Sequence, residues 1–350
     1  MADNEISSIS DLLRILTNLG EPAEGHTRFF RGQGNADWEV LPGIYRNQKL
    51  IENEDKIIKE ALLNCPDDFS PTDTLLEKLV KLQHYGYPTR LLDLTANALV
   101  ALYFASLKVE DEAGRLKDGE LIILDIPYEE IKYDDSDRAS ILSALSLQRY
   151  DFDLLEITQD LNIDINNFSE LASLNQNYKE KQADFESIYN NSRGFKKAID
   201  SLLKKHDISL KDYLSERRHQ AISDLTLKII NDDKNMIKLL QIIRQDKPSF
   251  RPSIIIDDIQ KVLCVKVKLN NSRISRQQGA FLIFGMAKQK NIPALIPEIW
   301  QREINGNKII IKAESKARIL QELKAFGISK QTLFPELESQ ASEIIAQYSK

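Results

Sequence analysis

The chain has 350 residues, with 47 basic and 53 acidic side chains and a formal net charge of −6. Its 42% hydrophobic and 29% charged content, with only 13 Gly and 11 Pro, excludes a wholly disordered or collagen-like chain. No run of about 18 apolar residues is present, and the acidic start MADNEISSISDLL lacks a basic leader, so no membrane span and no secretory signal are expected.

Two cysteines, Cys65 and Cys264, are too few for a disulfide framework or a cysteine-rich zinc site, which predicts a reducing cytoplasm. At about 150 residues per domain, the length fits one large domain or two ordinary ones. The acidic balance gives no global drive toward nucleic acid and leaves only a local basic patch as a route to it.

In chain order, residues 6–19 predict an amphipathic helix capped by Ser10 and stopped by Gly20. His26–Arg31 (HTRFFR) predicts a short strand running into a turn at Gly32, Gly34 and Asn35. Asp55–Leu63 and Thr72–Tyr85 predict helices, the second lined by Leu75, Leu76, Leu79, Val80 and Leu82 and stopped by Gly86 and Pro88. Residues from Ala96 to Val109 predict a helix; its ALVALYFA core carries no charge on any side, which marks it as buried. Glu120–Ile126 (ELIILDI) predicts a buried strand.

Residues 128–254 change character, with polar Asn, Asp, Lys and Gln around helical spacings such as ILSALSL, AIDSLLKK and IKLLQIIRQ. They predict a mainly helical insertion, leaving through Lys247–Pro252. Strands are then expected at Lys261–Lys268, Gly279–Gly285 and Lys308–Ile311, and helices near Ser315–Ala325 and Glu336–Tyr348. The sum is an α/β (α+β) fold, a small mixed sheet flanked by helices and built from the two ends of the chain. Its divisions are an N-terminal helix (1–25), a first half (26–127), the insertion (128–254) and a second half (255–350).

Phosphate-loop, dinucleotide-fold, HExxH and GxSxG motifs are all missing, and the four histidines, His26, His84, His206 and His219, offer no metal-ligand spacing. Three clusters stand out. The first is Arg28-Phe-Phe-Arg31-Gly-Gln33-Gly34 with Trp38 and Arg46. An arginine ending an apolar strand beside glycine suits an anion, and equally suits a structural ion pair.

The second is Leu82-Gln-His84-Tyr85-Gly-Tyr-Pro-Thr-Arg90-Leu-Leu-Asp93-Leu-Thr95. It reads as a turn between two apolar helices, in which Arg90 and Asp93 could pair and Asp93 or Thr95 could cap the next helix. His84 fits a general base or a nucleobase contact, or a satisfied structural histidine. The third is Asn270-Asn271-Ser-Arg273-Ile-Ser-Arg276-Gln277-Gln278-Gly279, where Gln277 offers donor and acceptor together. On spacing alone that one reads as a polar loop entering a strand.

Taken in order, these clusters resemble the FRG domain family. Phe30-Arg31-Gly32 matches its name-giving motif, with Gln33 and Trp38 following. LQHYGYPTRLLDLTANALVALYFA, residues 82–105, resembles its central motif, with Leu94 where the pattern usually has Trp. Arg273–Phe281 resembles a late R-x-x-x-Q-x-G-x-F motif, and Ile319–Glu336 resembles a closing stretch with its LFP signature.

The resemblance implies that Arg31, His84, Arg90, Asp93 and Gln277 converge on one pocket. Gln33, Tyr85, Arg273 and Gly279 are the further ligand-binding candidates. It implies a bacterial or phage protein in a defence-related setting. The expectation is an enzyme acting on NAD or another nucleotide, an ADP-ribosyltransferase-like fold and effector or an NAD glycohydrolase. Arg31 and Arg90 would bind phosphate and His84 and Gln277 would position the ligand. Asp93, with Glu298, Glu303 and Glu314 as later candidates, would be the working carboxylate. No metal and no cofactor are called for; NAD would be a substrate. The alternative is a non-catalytic nucleotide or nucleic-acid sensor, with residues 128–254 engaging a protein partner.

Overall fold

The computed structural model describes residues 3–154, 230–268 and 272–349, with Asp200, Lys204 and Leu227 between them. His206, His219, most of the AIDSLLKK stretch and Asn270-Asn271 lie outside the described residues.

The strands are β1 (Glu5–Ile6), β2 (His26–Gln33), β3 (Leu91–Thr95), β4 (Gly119–Pro127), β5 (Ile131–Tyr133), β6 (Val262–Lys266), β7 (Gly279–Phe284), β8 (Gln301–Arg302) and β9 (Ile309–Ile311). They form one mixed sheet in the order β1-β9-β4-β2-β3-β7-β6-β5, with β8 on β4. The β1–β9 and β5–β6 pairs are parallel and the others antiparallel. Both ends of the chain therefore supply the sheet, as the strand pattern predicts. The fold is mixed α/β.

Alternation along the strands sends side chains to two faces. On one face, α1 (Ile9–Leu19), α5 (Ala98–Ala105) and α10 (Lys316–Ala325) cover Phe30, Leu121, Ile123, Ile309 and Ile311. Beside them, α3 (Glu54–Asn64), α4 (Leu75–His84), α6 (Asp137–Ala144), α7 (Lys234–Asp246) and α8 (Ile256–Ile259) cover Leu91, Leu263, Val265, Phe281 and Ile283. The other face buries Phe29, Leu92, Leu94, Ile122, Leu124, Cys264, Leu282 and Phe284 beneath Trp300 and a loop carrying Val40, Leu41 and Tyr45. Three short helices, α2 (Gln48–Glu52), α9 (Ser272–Arg276) and α11 (Lys330–Leu333), and the last helix, α12 (Leu337–Tyr348), complete the described elements used below.

Three local expectations need correction. Helix α1 is capped by Ser8, whose extended backbone lets its hydroxyl accept from the Asp11 amide; Ser10 already lies inside the helix. Residues 91–95 are a strand and not part of a turn, because Leu92 and Leu94 alternate with Asp93 and all five pair with β7. The cap of α5 is consequently Asn97, which accepts from the Leu99 amide, and neither Asp93 nor Thr95. Within 128–254, β5 extends the sheet, and α6 and α7 share the hydrophobic cluster of α4.

Helix α5 is buried as its uncharged sequence requires. It lies so close to β2 that a Cβ at Gly32 would stand 1.8 Å from the Ala101 carbonyl oxygen. That contact fixes β2 beneath α5 and sets the position of Arg31 next to it. Lys316, buried on α10, donates to the carbonyls of Gly34 and Leu107 and holds the turn after β2.

Candidate functional site

Strands β2 and β3 pair at Phe30↔Thr95 and then part. The Arg31 guanidinium reaches across the parting and donates from Nη1 to the main-chain oxygen of Asp93 at 2.9 Å. A cavity of about 220 Å³ opens at this point. Phe30, Arg31, Gly32, Asp93, Leu94 and Thr95 line it from the two strands, Val80, Gln83 and His84 from α4, and Val100 and Phe104 from α5. Arg273, Ile274, Gln277, Gly279, Ala280 and Phe281 close it from α9 and β7. Among the sequence candidates, Arg31, His84, Asp93, Arg273, Gln277 and Gly279 are thus brought together across nearly the whole length of the chain.

The cavity has an apolar body and a few convergent polar groups, the usual makeup of a small-molecule site. Arg31 Nε is buried and has no hydrogen-bond partner. Burial pulls its guanidinium below the ordinary arginine range, Asp93 acts in the opposite direction, and Arg46 adds to the lowering. A desolvated cation with an unused donor favours an anion that supplies the missing acceptor. Asp93, by contrast, is exposed, so its carboxylate stands at the solvent side of the same site.

His84 lies below the ordinary histidine pKa. Burial is the first cause and the nearby Arg273 the second, with Glu336 opposing both. The ring is therefore neutral near pH 7 and can accept a proton. Gln277 is held by its main chain, since its carbonyl accepts from Thr95 Oγ1 at 2.6 Å. Its side-chain amide donates to the Leu333 carbonyl at 3.2 Å. Gln278 follows with φ of 48°, and the next carbon to face the cavity is Gly279.

A strap, residues 329–336, packs against residues that line the cavity. Phe334 stacks under the Arg273 guanidinium at 4.5 Å and meets the Phe104 ring edge-on at 6.1 Å. Arg276 Nη1 donates to the Thr332 carbonyl at 3.3 Å. Glu336 brings Oε1 to 3.5 Å from His84 Nε2. Glu336 is the carboxylate beside His84, whereas Glu298, Glu303 and Glu314 are exposed and line no part of the cavity. The sequence signal for Glu336 is its place directly after Leu333-Phe334-Pro335. Gln83, beside His84, and Phe104 of α5 line the cavity without having been proposed as site residues from sequence.

Three candidates stand elsewhere. Arg90 is fully buried: Nε and Nη2 grip the two Glu54 oxygens, at 3.0 and 2.5 Å, and Nη1 donates to the Phe284 carbonyl. Lys290 completes that cluster at 3.1 Å from Glu54. Arg90 pairs with Glu54 and not with Asp93, because alternation along β3 turns it to a separate polar core. Gln33 is buried and donates to Glu120 and to the Trp38 carbonyl, fixing the loop after β2. Tyr85 is 64% exposed and lines a neighbouring cleft. Arg28, from the first cluster, holds Asp125 in a two-pronged pair that Arg302 shares.

Among the described residues no group of three or more His, Cys, Asp or Glu side chains is placed to hold a metal, and no helix is long and apolar enough to cross a membrane. No curated protein and no solved structure matches the chain. Residues 26–114 match the family model for the FRG domain. The match takes in Arg31, His84 and Asp93 and stops short of Arg273, Gln277 and Glu336. By its Phe-Arg-Gly strand, its central motif and this match, the chain carries an FRG domain at residues 26–114.

Proposed function

We propose that the cavity binds a nucleotide of the NAD class and that the protein acts on it, as an ADP-ribosyltransferase-like effector or an NAD glycohydrolase in phage defence or toxicity. The observation that carries this reading is the unpartnered buried Nε of Arg31, set where β2 and β3 part and facing a cavity that also holds Asp93. Arg31 takes a phosphate oxygen of the ligand, with Arg273 as the second cation. Gln277 and His84 orient a ring bearing an amide or amino edge. The apolar wall of Phe30, Phe104 and Phe281 takes the flat faces.

In this reading the bond between the ribose C1′ and the nicotinamide nitrogen breaks. Its electron pair passes to that nitrogen, which loses its positive charge. The positive charge left on the sugar faces Asp93, whose carboxylate steadies it. Water or an acceptor hydroxyl adds to C1′, and its proton passes to Asp93 or His84. The defence role rests on family resemblance alone.

The test is incubation of the full chain with NAD, ATP and GTP, with products resolved by mass and Arg31→Ala as the control. Nicotinamide release or a new adduct, lost in the variant, upholds the reading. Retention of a nucleotide without turnover, also lost in the variant, replaces it with a binding module. Residues 128–254 would then be examined for a protein partner.

A further inference from the structure

We propose that Glu336 is a positioning residue of this cavity: its carboxylate faces one nitrogen of the His84 ring and so presents the other to a bound ligand. The inference rests on reading the cavity as a ligand site.

Both Glu336 oxygens are buried and neither has a hydrogen-bond partner. A buried carboxylate left in that state is costly and calls for a donor. The nearest is His84 Nε2, at 3.5 Å. Nothing in the start of α12 accounts for the carboxylate, because Glu336 makes no side-chain cap there. Facing a carboxylate, Nε2 is the nitrogen that carries hydrogen, which leaves the Nδ1 lone pair for the ligand. No protein group among the described residues hydrogen-bonds the ring. The Tyr85 ring meets it edge-on at 5.1 Å.

The position of Glu336 is itself built. The strap before it is pinned to three cavity elements: to α9 through Arg276 and the Arg273–Phe334 stack, to the turn before β7 through Gln277, and to α5 through Phe104. Gln340 of α12 donates to the Phe334 carbonyl at 2.8 Å and ties the helix back to the strap. The carboxylate is delivered to His84 by a braced segment.

The charges around His84 are unequal. Arg273 stands on α9, Glu77 and Lys81 on its own helix, Lys268 beyond β6, Arg31 and Asp93 across the cavity, and Glu336 at the start of α12. Arg273 and Glu336 act on the ring in opposite directions. An anion bound against Arg273 weakens the repulsion and leaves Glu336 as the dominant neighbour. Ligand binding then shifts the His84 midpoint upward, with Nε2 still facing Glu336.

The test is a titration of the His84 ring by ¹⁵N NMR in the ligand-free full chain, its signal assigned by its loss in His84→Asn. In Glu336→Gln the midpoint should fall by about one unit, the usual effect of losing an opposite charge at this range. Glu336→Asp should restore part of the difference. An unchanged midpoint in Glu336→Gln overturns the proposal, and Glu336 is then only the residue that starts α12. In parallel, NAD affinity of Glu336→Gln should drop at least fivefold with the melting temperature held; equal affinity at a shifted midpoint also overturns it. If the wild type retains no NAD, the proposed function falls, while the titration still decides the role of Glu336.

Discussion

Arg31 is tied to Asp93 through the Asp93 main-chain oxygen, 2.9 Å from Nη1, and not through its carboxylate. The strand carbonyl anchors the cation while the carboxylate stays exposed. If the cavity works as proposed, binding and chemistry are therefore separable at these two positions. In Arg31→Lys a planar fork is replaced by a point charge that cannot both hold the carbonyl and reach an anion. NAD retention by equilibrium dialysis should fall at least tenfold, with little change in melting temperature.

Asp93→Asn should leave the melting temperature where it is, since the side chain is exposed and caps nothing. Nicotinamide release should disappear while NAD retention persists. Asn97→Ala provides the contrast. It removes the acceptor for the Leu99 amide and should cost about 1 kcal/mol in urea unfolding without a direct effect on retention.

The polar core around Glu54 is predicted to be structural. Arg90, Lys290 and Glu54 are all buried, and removal of one partner strands the others. Arg90→Met should destabilise the fold by about 3–5 kcal/mol. Ligand retention measured on the fraction that remains folded should be unchanged.

Acid should weaken the fold through His84. Its folded-state pKa lies below the ordinary value of 6.5, with burial as the main cause. As pH falls from 6.5 to the folded value, the unfolded chain takes up a proton that the folded chain refuses, so stability drops across that window. Urea midpoints at pH 7.5 and 5.5 should differ by less in His84→Gln than in the wild type. Asp125 acts at lower pH. Burial alone would raise its pKa, but the Arg28 and Arg302 hydrogen bonds outweigh it and hold the group low. Its contribution is present above the ordinary carboxylate value and is lost only as pH falls through the depressed one.

Gly32→Ala should be among the most damaging single changes. The added methyl would meet Ala101 O at 1.8 Å and Ala105 N at 2.6 Å, both main-chain atoms that cannot turn aside. Forcing α5 off β2 should cost about 1–3 kcal/mol or more and displace Arg31. Circular dichroism melting and NAD retention should fall together.

Elements with strong local signals were legible in the sequence. Charge-free ALVALYFA announced a buried helix, and ELIILDI a buried strand. Leu91–Thr95 was not, because five residues following a turn sequence look the same whether they continue as a strand or cap a helix. Pairing with β7, nearly two hundred residues later, decides it. The same reason separates the site residues that converge from those that do not. Arg31, His84 and Gln277 sit beside glycines or turns where a side chain has room. Arg90 carries the same charge in the same motif, but its partner Glu54 lies in a helix whose role only the tertiary packing reveals. Glu336 was hidden for a related reason: a lone glutamate before a helix looks like an ordinary helix start.

The strand order has a consequence for how the protein comes into being. One edge of β3 stays unpaired until β7 is made, and β4 waits for β9, which also receives β1. A chain emerging from the ribosome therefore carries Arg31, His84 and Asp93 long before it has walls to put around them. Its open strand edges invite mispairing during that interval. Phe334 and Glu336 are made only after every strand of the sheet. Whatever the cavity does, the unfinished protein cannot do it.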